Sequence, residues 1–338
     1  MGGIGVNYAK HCLDRGDDVF ILDNYSHGQA SYRNAEWLLG EENRPVIKRG
    51  STSNYMDLAS LIGSSGGFDA VVHAAAQTSS SVALSEPMKD FEWNVVGTFN
   101  LLEVLRCECP TARVVNVTSW KMYNTHDWPV QLEADRLRWV SKRIGPSEAF
   151  PLNVDAHEFY SASRLAGLFY TRCFALNGLP VVSLVLSDVY GRHHYGTPEQ
   201  GWVSWLAIAA ELGLPITVYG DGTQSRDLLH VSDVISAIDL LLNVAQNNKG
   251  GIFNAGGGPS NVVSVRGMLE LIKDIGHKDP IVNHADERSY DVKTYVTNNE
   301  KLLSLGWHPS MGVLQGISDL VDWVKTERPI LRVLYKVK

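Results

Sequence analysis

Apolar positions along the first half of the chain switch between helical spacing and short unbroken runs. Tyr8, Ala9, Cys12 and Leu13 recur as one face of a helix that follows Gly2-Gly3-Ile4-Gly5, and Gly16-Asp17-Asp18 breaks it. Val19-Phe20-Ile21-Leu22 then reads as a strand ending in Asp23-Asn24, and Pro45 to Gly50 as a second short strand. Ala70-Val71-Val72-His73 is a third, buried strand, running into Ala74-Ala75-Ala76-Gln77, small residues that leave room for a flat ligand. Phe91, Val95, Phe99 and Leu102 predict one long amphipathic helix from Asp90 to Leu105. Val114 to Ser119 is the next strand, with hydroxyls at its C-terminal end. Leu165, Leu168, Phe169, Cys173 and Phe174 continue a helix that starts near Tyr160, and Val181 to Leu186 is a further apolar run. Strands alternating with helices predict an α/β chain built on a doubly wound parallel sheet.

Size and charge narrow the partners. A chain of 338 residues buries a large core, as one big domain or two unequal ones. A net charge of −7 argues against nucleic acid or an anionic membrane as the main partner, and no basic stripe is interleaved with the aromatics. No apolar run approaches the roughly 18 residues that span a membrane. Cys107 and Cys109 form a lone C-x-C among four cysteines, which predicts neither a disulfide framework nor a zinc site. Val6 stands where a myristoylation site after Gly2 wants Ser or Thr, so a reducing cytoplasm is the expected location.

The glycine cluster, the helix and the acid at the end of the next strand form a dinucleotide-binding pattern. Glycines let the backbone approach a pyrophosphate, and a helix N-terminus favours its charge. Asp23 suits a hydrogen bond to the adenosine ribose and repels a 2′-phosphate, favouring NAD over NADP. The strand that precedes such a glycine loop is missing. Three explanations stand open: natural residues upstream of Met1, a relative that tolerates the gap, or the run Ile330 to Tyr335 filling the slot beside Val19 and Val72. Tyr160 and Arg164 lie four residues apart on one helical face, where the cation favours the anionic phenol that can take a proton from a sugar hydroxyl. His157, His230 and His193-His194 show no metal spacing, and no metal is expected.

The ordered set Gly2-x-x-Gly5, Asp23-Asn24, His73-Ala74-Ala75-Ala76, Asn94-x-x-Gly97-Thr98, Ser119 and Tyr160-x-x-x-Arg164 resembles the extended short-chain dehydrogenase/reductases, the NAD-dependent nucleotide-sugar epimerases and dehydratases. Val189-Tyr190-Gly191, Gly220 to Asp233, Phe253-Asn254-Ala255-Gly256-Gly257 and Leu305-Gly306-Trp307-x-Pro309 extend the likeness to about Trp323. It implies a Rossmann-type sheet with a smaller α+β C-terminal substrate domain. Residues 1–191 would bind the dinucleotide, with returning segments near 229–256. Residues 192–228 and 257–326 would bind the nucleotide sugar, and 327–338 form a tail. NAD is the implied cofactor, held by Gly2, Gly5, Asp23, Asn24, Ala74, Ala75, Gln77, Asn94, Tyr160 and Arg164. Tyr160 is the implied acid/base, Ser119 the hydrogen-bond partner of the reacting oxygen, and Arg164 the cation that lowers the phenol pKa. Arg226 and Arg288 would clamp the diphosphate. A homodimer through the helices of Asn94 and Tyr160 is implied as well.

Within that family, Ser119-x-Lys121-Met122-Tyr123, Asp155-x-His157-x-x-Tyr160 and Gln200-Gly201-Trp202-Val203-x-Trp205 resemble the CDP-paratose 2-epimerase branch, as does the long segment Asn124 to Ala156. That places Lys121, Ser187, Gln200, Gly201 and Trp202 against a nucleotide sugar, with CDP-sugars favoured. Dehydratases carry an Asp-Glu pair after the hydroxyl residue, to supply acid and base for losing water, and Trp120-Lys121 stands there. Arg164 replaces the family's usual Lys, and Ser51 its adenine-contacting Asp. Two functions are compatible with this pattern: an active epimerase, and a non-catalytic member of the fold acting as a nucleotide-binding or structural subunit.

Overall fold

The structure, a computed structural model, describes all residues except 126–127, 141–144, 151, 153–157, 289–290 and 338. In chain order it begins with α1 (Gly3–Arg15), β1 (Phe20–Asp23), α2 (Gln29–Leu39), β2 (Val46–Arg49), α3 (Tyr55–Ser65) and β3 (Ala70–His73). Next come α4 (Ser80–Ser85), α5 (Pro87–Phe91), α6 (Gly97–Glu108), β4 (Arg113–Ser119), β5 (Val130–Glu133) and β6 (Arg136–Trp139). The middle holds α7 (Phe159–Leu176), β7 (Val181–Leu186), β8 (Asp188–Tyr190), α8 (Trp202–Leu212), β9 (Pro215–Tyr219) and β10 (Ser225–His230). It closes with α9 (Val231–Val244), β11 (Ile252–Ala255), β12 (Val262–Ser264), α10 (Val265–Gly276), β13 (Ile281–Ala285), β14 (Thr294–Tyr295), α11 (Glu300–Leu303) and α12 (Val313–Leu334).

Two compact units divide these elements. The first comprises Met1–Met122, Leu152–Leu186 and Ile235–Phe253, the second Tyr123–Pro151, Ser187–Val234 and Asn254–Lys338. In the first, β3, β4 and β7 pair in parallel, with His73 opposite Asn116 and Ser119 opposite Leu186, and β11 lies beyond β7. β4 and β7 are apolar almost throughout because both of their faces are covered. β1 and β2 form a separate parallel pair, so the Rossmann-type sheet is hydrogen-bonded in two pieces. Gly16 ends α1 in the left-handed region at φ +88°, which a side chain would strain.

The predicted single helix from Asp90 to Leu105 is three pieces. Pro87 starts α5, a π-helical turn spans Glu92–Val96, and α6 follows. A π turn inserts one residue into the helical period, so the apolar stripe splits. Val95 and Leu102 are buried, whereas Phe91 and Phe99 face outward. On α7 the buried face carries Tyr160, Arg164, Leu168 and Thr171, while Phe169 and Cys173 of the expected run lie on the outer face.

The second unit gathers 123–151 as well, which the sequence reading had placed in the first domain. The hairpin β5–β6 is tied to it by backbone: the Leu137 N–H donates to the Thr223 carbonyl at 2.9 Å, and the Ser225 hydroxyl to the Leu137 carbonyl at 2.6 Å. β10 pairs with β8, β12 and β14, and β9 with β13. The run Ile330 to Tyr335 does not fill a strand slot. It continues α12 through Pro329, because Ile317, Leu320, Val324 and Leu331 form one helical stripe in this unit's core and Leu331 is 0% exposed.

Asp227, on β10, is fully buried. It accepts the Gly258 N–H at 3.1 Å, and its Oδ1 has no partner. Burial pushes its carboxyl up to about 7, against the hydrogen bonds from Gly258 and Thr297 that favour the carboxylate. The folded chain thus keeps a proton that an unfolded carboxyl, near about 3.9, has already released. This stabilises the fold fully below about pH 4 and is lost as the pH rises through about 7, at no more than about 1.4 kcal/mol per pH unit. Asp227→Asn is expected to flatten that slope in urea unfolding between acidic and mildly alkaline pH. An unchanged slope in the variant assigns the pH dependence elsewhere.

Candidate active site

β4 delivers Ser119 to its C-terminal end, and the 3-10 turn Trp120–Met122 follows at once. α7 begins with Phe159, so Tyr160 sits in its first turn and Arg164 one turn on. Tyr160 is 5% exposed and hydrogen-bonds to the Ser119 hydroxyl, which also accepts the Lys121 N–H at 3.3 Å. The hydroxyl and the phenol predicted from sequence are therefore in contact.

The sign of the phenol's shift is not the predicted one. Burial is the dominant influence on Tyr160 and raises its pKa. The Arg164 charge and the Ser119 hydrogen bond lower it, while the Glu158 and Asp90 carboxylates raise it further, leaving a phenol above its usual value. Arg164 does act in the expected direction and is outweighed. Its guanidinium is 8% exposed; one Nη donates to the Val117 carbonyl, and its Nε is buried without a partner.

His73, at the end of β3, is held neutral. Burial first, and then the Arg164 charge, bring its pKa down to about 3. The Thr98 hydroxyl donates to the Asn94 carbonyl at 2.7 Å, so at 3.0 Å from Thr98 it is the His73 Nε2 that carries the hydrogen. Gln77 and Asn94 serve each other. The Gln77 N–H donates to Asn94 Oδ1 at 2.9 Å, and Asn94 Nδ2 donates to the Gln77 carbonyl, to Asp90 and to Ser163, at 3.0, 2.9 and 3.0 Å. The π turn presents Asn94 to α7, where a Cβ at Gly167 would stand 3.1 Å from the Asn94 carbonyl. Both amides thus bond to protein groups, and Asp90, raised by burial, completes the network.

At the glycine loop, Gly2 caps α1 and Gly5 lies within it, with open space where a Cβ would be at each. No side chain caps the helix and no acid stands in its first turn. Ala75, past β3, is exposed. Asp23 closes β1 as predicted; its carboxylate accepts the Tyr25 N–H at 2.7 Å and pairs with the Met1 amine. Asn24 turns its Oδ1 back to the Ser26 N–H at 3.0 Å.

In the second unit, Arg226, Asp188 and Trp202 come together. The Trp202 indole donates to Asp188 Oδ2 at 3.2 Å, and Arg226 Nε lies 3.7 Å from the same oxygen. Burial lowers the Arg226 pKa, while Asp188, Asp291 and Asp227 favour its charge. Gly201 caps α8 in the left-handed region at φ +69°, and Gln200 bridges Thr197 through its backbone. The Ser187 hydroxyl is buried without a partner. The Arg288 guanidinium stacks on the Tyr219 ring at 3.5 Å. Asp155 and His157 lie outside the described residues.

Sequence reasoning missed Glu158, Asp90 and His73. Glu158 stands two residues before Tyr160, a spacing open to inspection; the other two meet the site only through the fold. The four cysteines are free thiols. Among the described residues no cluster of three His, Cys, Asp or Glu could hold a metal, and no helix is long and apolar enough to cross a membrane.

A sequence model described as the NAD dependent epimerase/dehydratase family matches residues 1–256. The CDP-paratose 2-epimerase of Salmonella typhi is 30% identical over 336 residues, covering 96% of this chain and 97% of that protein. A putative UDP-glucose 4-epimerase of Methanocaldococcus jannaschii is 27% identical over 328 residues, with 96% of each chain covered. Among solved structures, the UDP-glucose 4-epimerase of Thermus thermophilus in complex with NAD superposes with a TM-score of 0.79, at 27% identity and with 96% of each chain covered.

Proposed function

The chain belongs to the NAD dependent epimerase/dehydratase family, and from that premise we propose that it is a nucleotide-sugar epimerase of the CDP-paratose 2-epimerase kind. The observation that carries this reading is the Ser119–Tyr160 hydrogen bond at the end of β4, with Trp120-Lys121 in place of the acid–acid pair that dehydration requires. The family's cofactor is NAD, and the residues fit it. Gly2 and Gly5 leave open space at the start of α1, Ala75 is exposed, and Arg164 keeps an unspent buried N–H. When bound, NAD supplies the acceptor, and then the donor, of a hydride. Gly2, Gly5, Asp23, Asn24, Ala74 and Ala75 would line it, with Gln77 and Asn94 shaping the wall behind.

Tyr160 takes the proton of a sugar hydroxyl as the carbon is oxidised, and returns it when the keto sugar, turned over in the site, is reduced on its opposite face. Ser119 donates a hydrogen bond to the reacting oxygen. Arg164 favours the anionic phenol that burial opposes. Arg226 and Arg288 take the diphosphate; Lys121, Ser187, Gln200, Gly201 and Trp202 take the rest of the nucleotide sugar.

Extraction of purified protein is expected to release NAD, and incubation with CDP-paratose to yield its 2-epimer faster than UDP-glucose yields its 4-epimer, followed by NMR of the anomeric protons. Protein that neither carries NAD nor binds it by calorimetry would instead be the non-catalytic member of the fold. A UDP-sugar turned over faster than the CDP-sugar moves the substrate to another branch.

The helices around Asn94 and Tyr160 also support a homodimer. Met88, Phe91, Phe99, Phe169 and Tyr170 expose apolar surface on α5, α6 and α7, with Phe99 and Tyr170 in edge contact at 5.1 Å. Phe91→Glu with Phe169→Glu is expected to halve the mass seen by light scattering. A double variant that keeps the wild-type mass places the interface elsewhere.

A further inference from the structure

Glu158 occupies the N-cap position of α7, yet its side chain does not cap the helix. Its Oε2 instead lies 3.6 Å from Lys121 Nζ and accepts the Ser161 hydroxyl at 3.1 Å, while Oε1 is buried without a partner. Lys121 and Glu158 are 16% and 19% exposed, so the pair is poorly screened. Lys121 is two residues beyond Ser119, and Glu158 two before Tyr160. The ion pair and the Ser119–Tyr160 hydrogen bond therefore join the same two elements, the turn after β4 and the first turn of α7.

We propose that Glu158 is a positioning residue: through Lys121 it ties the start of α7 to the turn after β4, holding Tyr160 against Ser119 with no net charge added beside the phenol. The inference rests on the epimerase reading for its chemical meaning, though not for its test. Paired, the ammonium and the carboxylate offset each other near Tyr160; unpaired, either leaves a full charge there. Among the described residues, the other charged or titratable groups around Tyr160 are Arg164 on its own helix, Asp90 on α5 and, beyond Arg164, the neutral His73 on β3. None of these changes when the Lys121–Glu158 pair is altered.

Removing either partner moves the phenol in a defined direction. Glu158→Gln leaves Lys121 as an added positive charge, which favours tyrosinate and moves the Tyr160 midpoint to lower pH. Lys121→Met leaves Glu158 as an added negative charge and moves it higher. The double variant has neither charge and is expected to return close to wild type. Shifts of about half a pH unit or more in opposite directions are expected for the singles. Glu158→Asp, which keeps the charge, should lie nearer wild type than Glu158→Gln.

The measurement is an absorbance titration of tyrosinate, each protein minus the same protein carrying Tyr160→Phe, with circular dichroism to check folding. It needs no substrate, so NAD-free or inactive protein would reject the epimerase reading and leave this result decisive on its own. Midpoints that move the same way in both single variants, or not at all, overturn the proposal. If Glu158→Gln fails to fold, Lys121→Met alone decides: a midpoint that falls or stays overturns it. In active enzyme, the limb of the kcat profile that reports Tyr160 should follow these midpoints, which a merely structural pair would not move.

Discussion

Tyr160→Phe is expected to lower kcat by about 10²- to 10⁴-fold, the usual contribution of a positioned acid or base, with KM and NAD content close to wild type. The phenol oxygen is the proton-carrying group of the proposed reaction, and Phe removes it with little change in shape. Tyr160 is buried and its ring packs as it does in the wild type, so the variant loses the Ser119 hydrogen bond and little else. Initial rates by NMR with the CDP-sugar, and NAD by extraction, separate the two effects. A variant within threefold of wild type would remove Tyr160 from the chemistry, and with it the proposed mechanism. Because burial holds the phenol above its ordinary pKa, activity that depends on tyrosinate should rise toward alkaline pH in the wild type.

Arg164→Met is expected to be the second largest effect: at least about a tenfold loss of kcat at neutral pH, with the rising limb displaced upward. The guanidinium is a nearby charge that favours tyrosinate, whereas burial, Glu158 and Asp90 all favour the neutral phenol. A cation next to a phenol shifts it by about 1 to 3 pH units, and one unit is tenfold. Losing the cation moves the limb up. His73 reports the same charge in the opposite sense, since Arg164 helps to keep it neutral; its pKa should rise in the variant, as read by NMR of the ring protons. A kcat limb that stays put shows that Arg164 acts through packing alone. Arg164→Lys keeps the charge and removes a buried N–H that lacks a partner, an arrangement that costs about 1–3 kcal/mol. It is expected to raise turnover, and equal or lower turnover means the site has adapted to the fork.

Much of this site was legible before any coordinates. Ser119 closes an apolar strand and Tyr160 opens an amphipathic helix, and each is where periodicity put it. The strand ending in Asp23 and the helix after the glycine cluster are likewise present. The π turn at Glu92–Val96 was invisible, because one inserted residue leaves a run of apolar positions that still reads as helical. The C-terminal run Ile330 to Tyr335 reads as a strand in isolation. Its helical identity comes from a stripe that begins at Ile317, more than three turns upstream, and carries α12 past Pro329. Glu158 was readable by its spacing, but nothing in a sequence says that an N-cap carboxylate ignores its helix and reaches for Lys121.

By itself, then, the sequence determined which residues bear the chemistry and which elements carry them, since spacing and apolar pattern are local properties of the chain. Only the tertiary structure decided how those residues are tuned. Whether Arg164 or burial governs Tyr160, whether His73 is charged, and whether Asn94 and Gln77 face a ligand or each other depend on what is packed around each group. Desolvation is a sum over neighbours brought from distant parts of the chain, and no local pattern contains that sum.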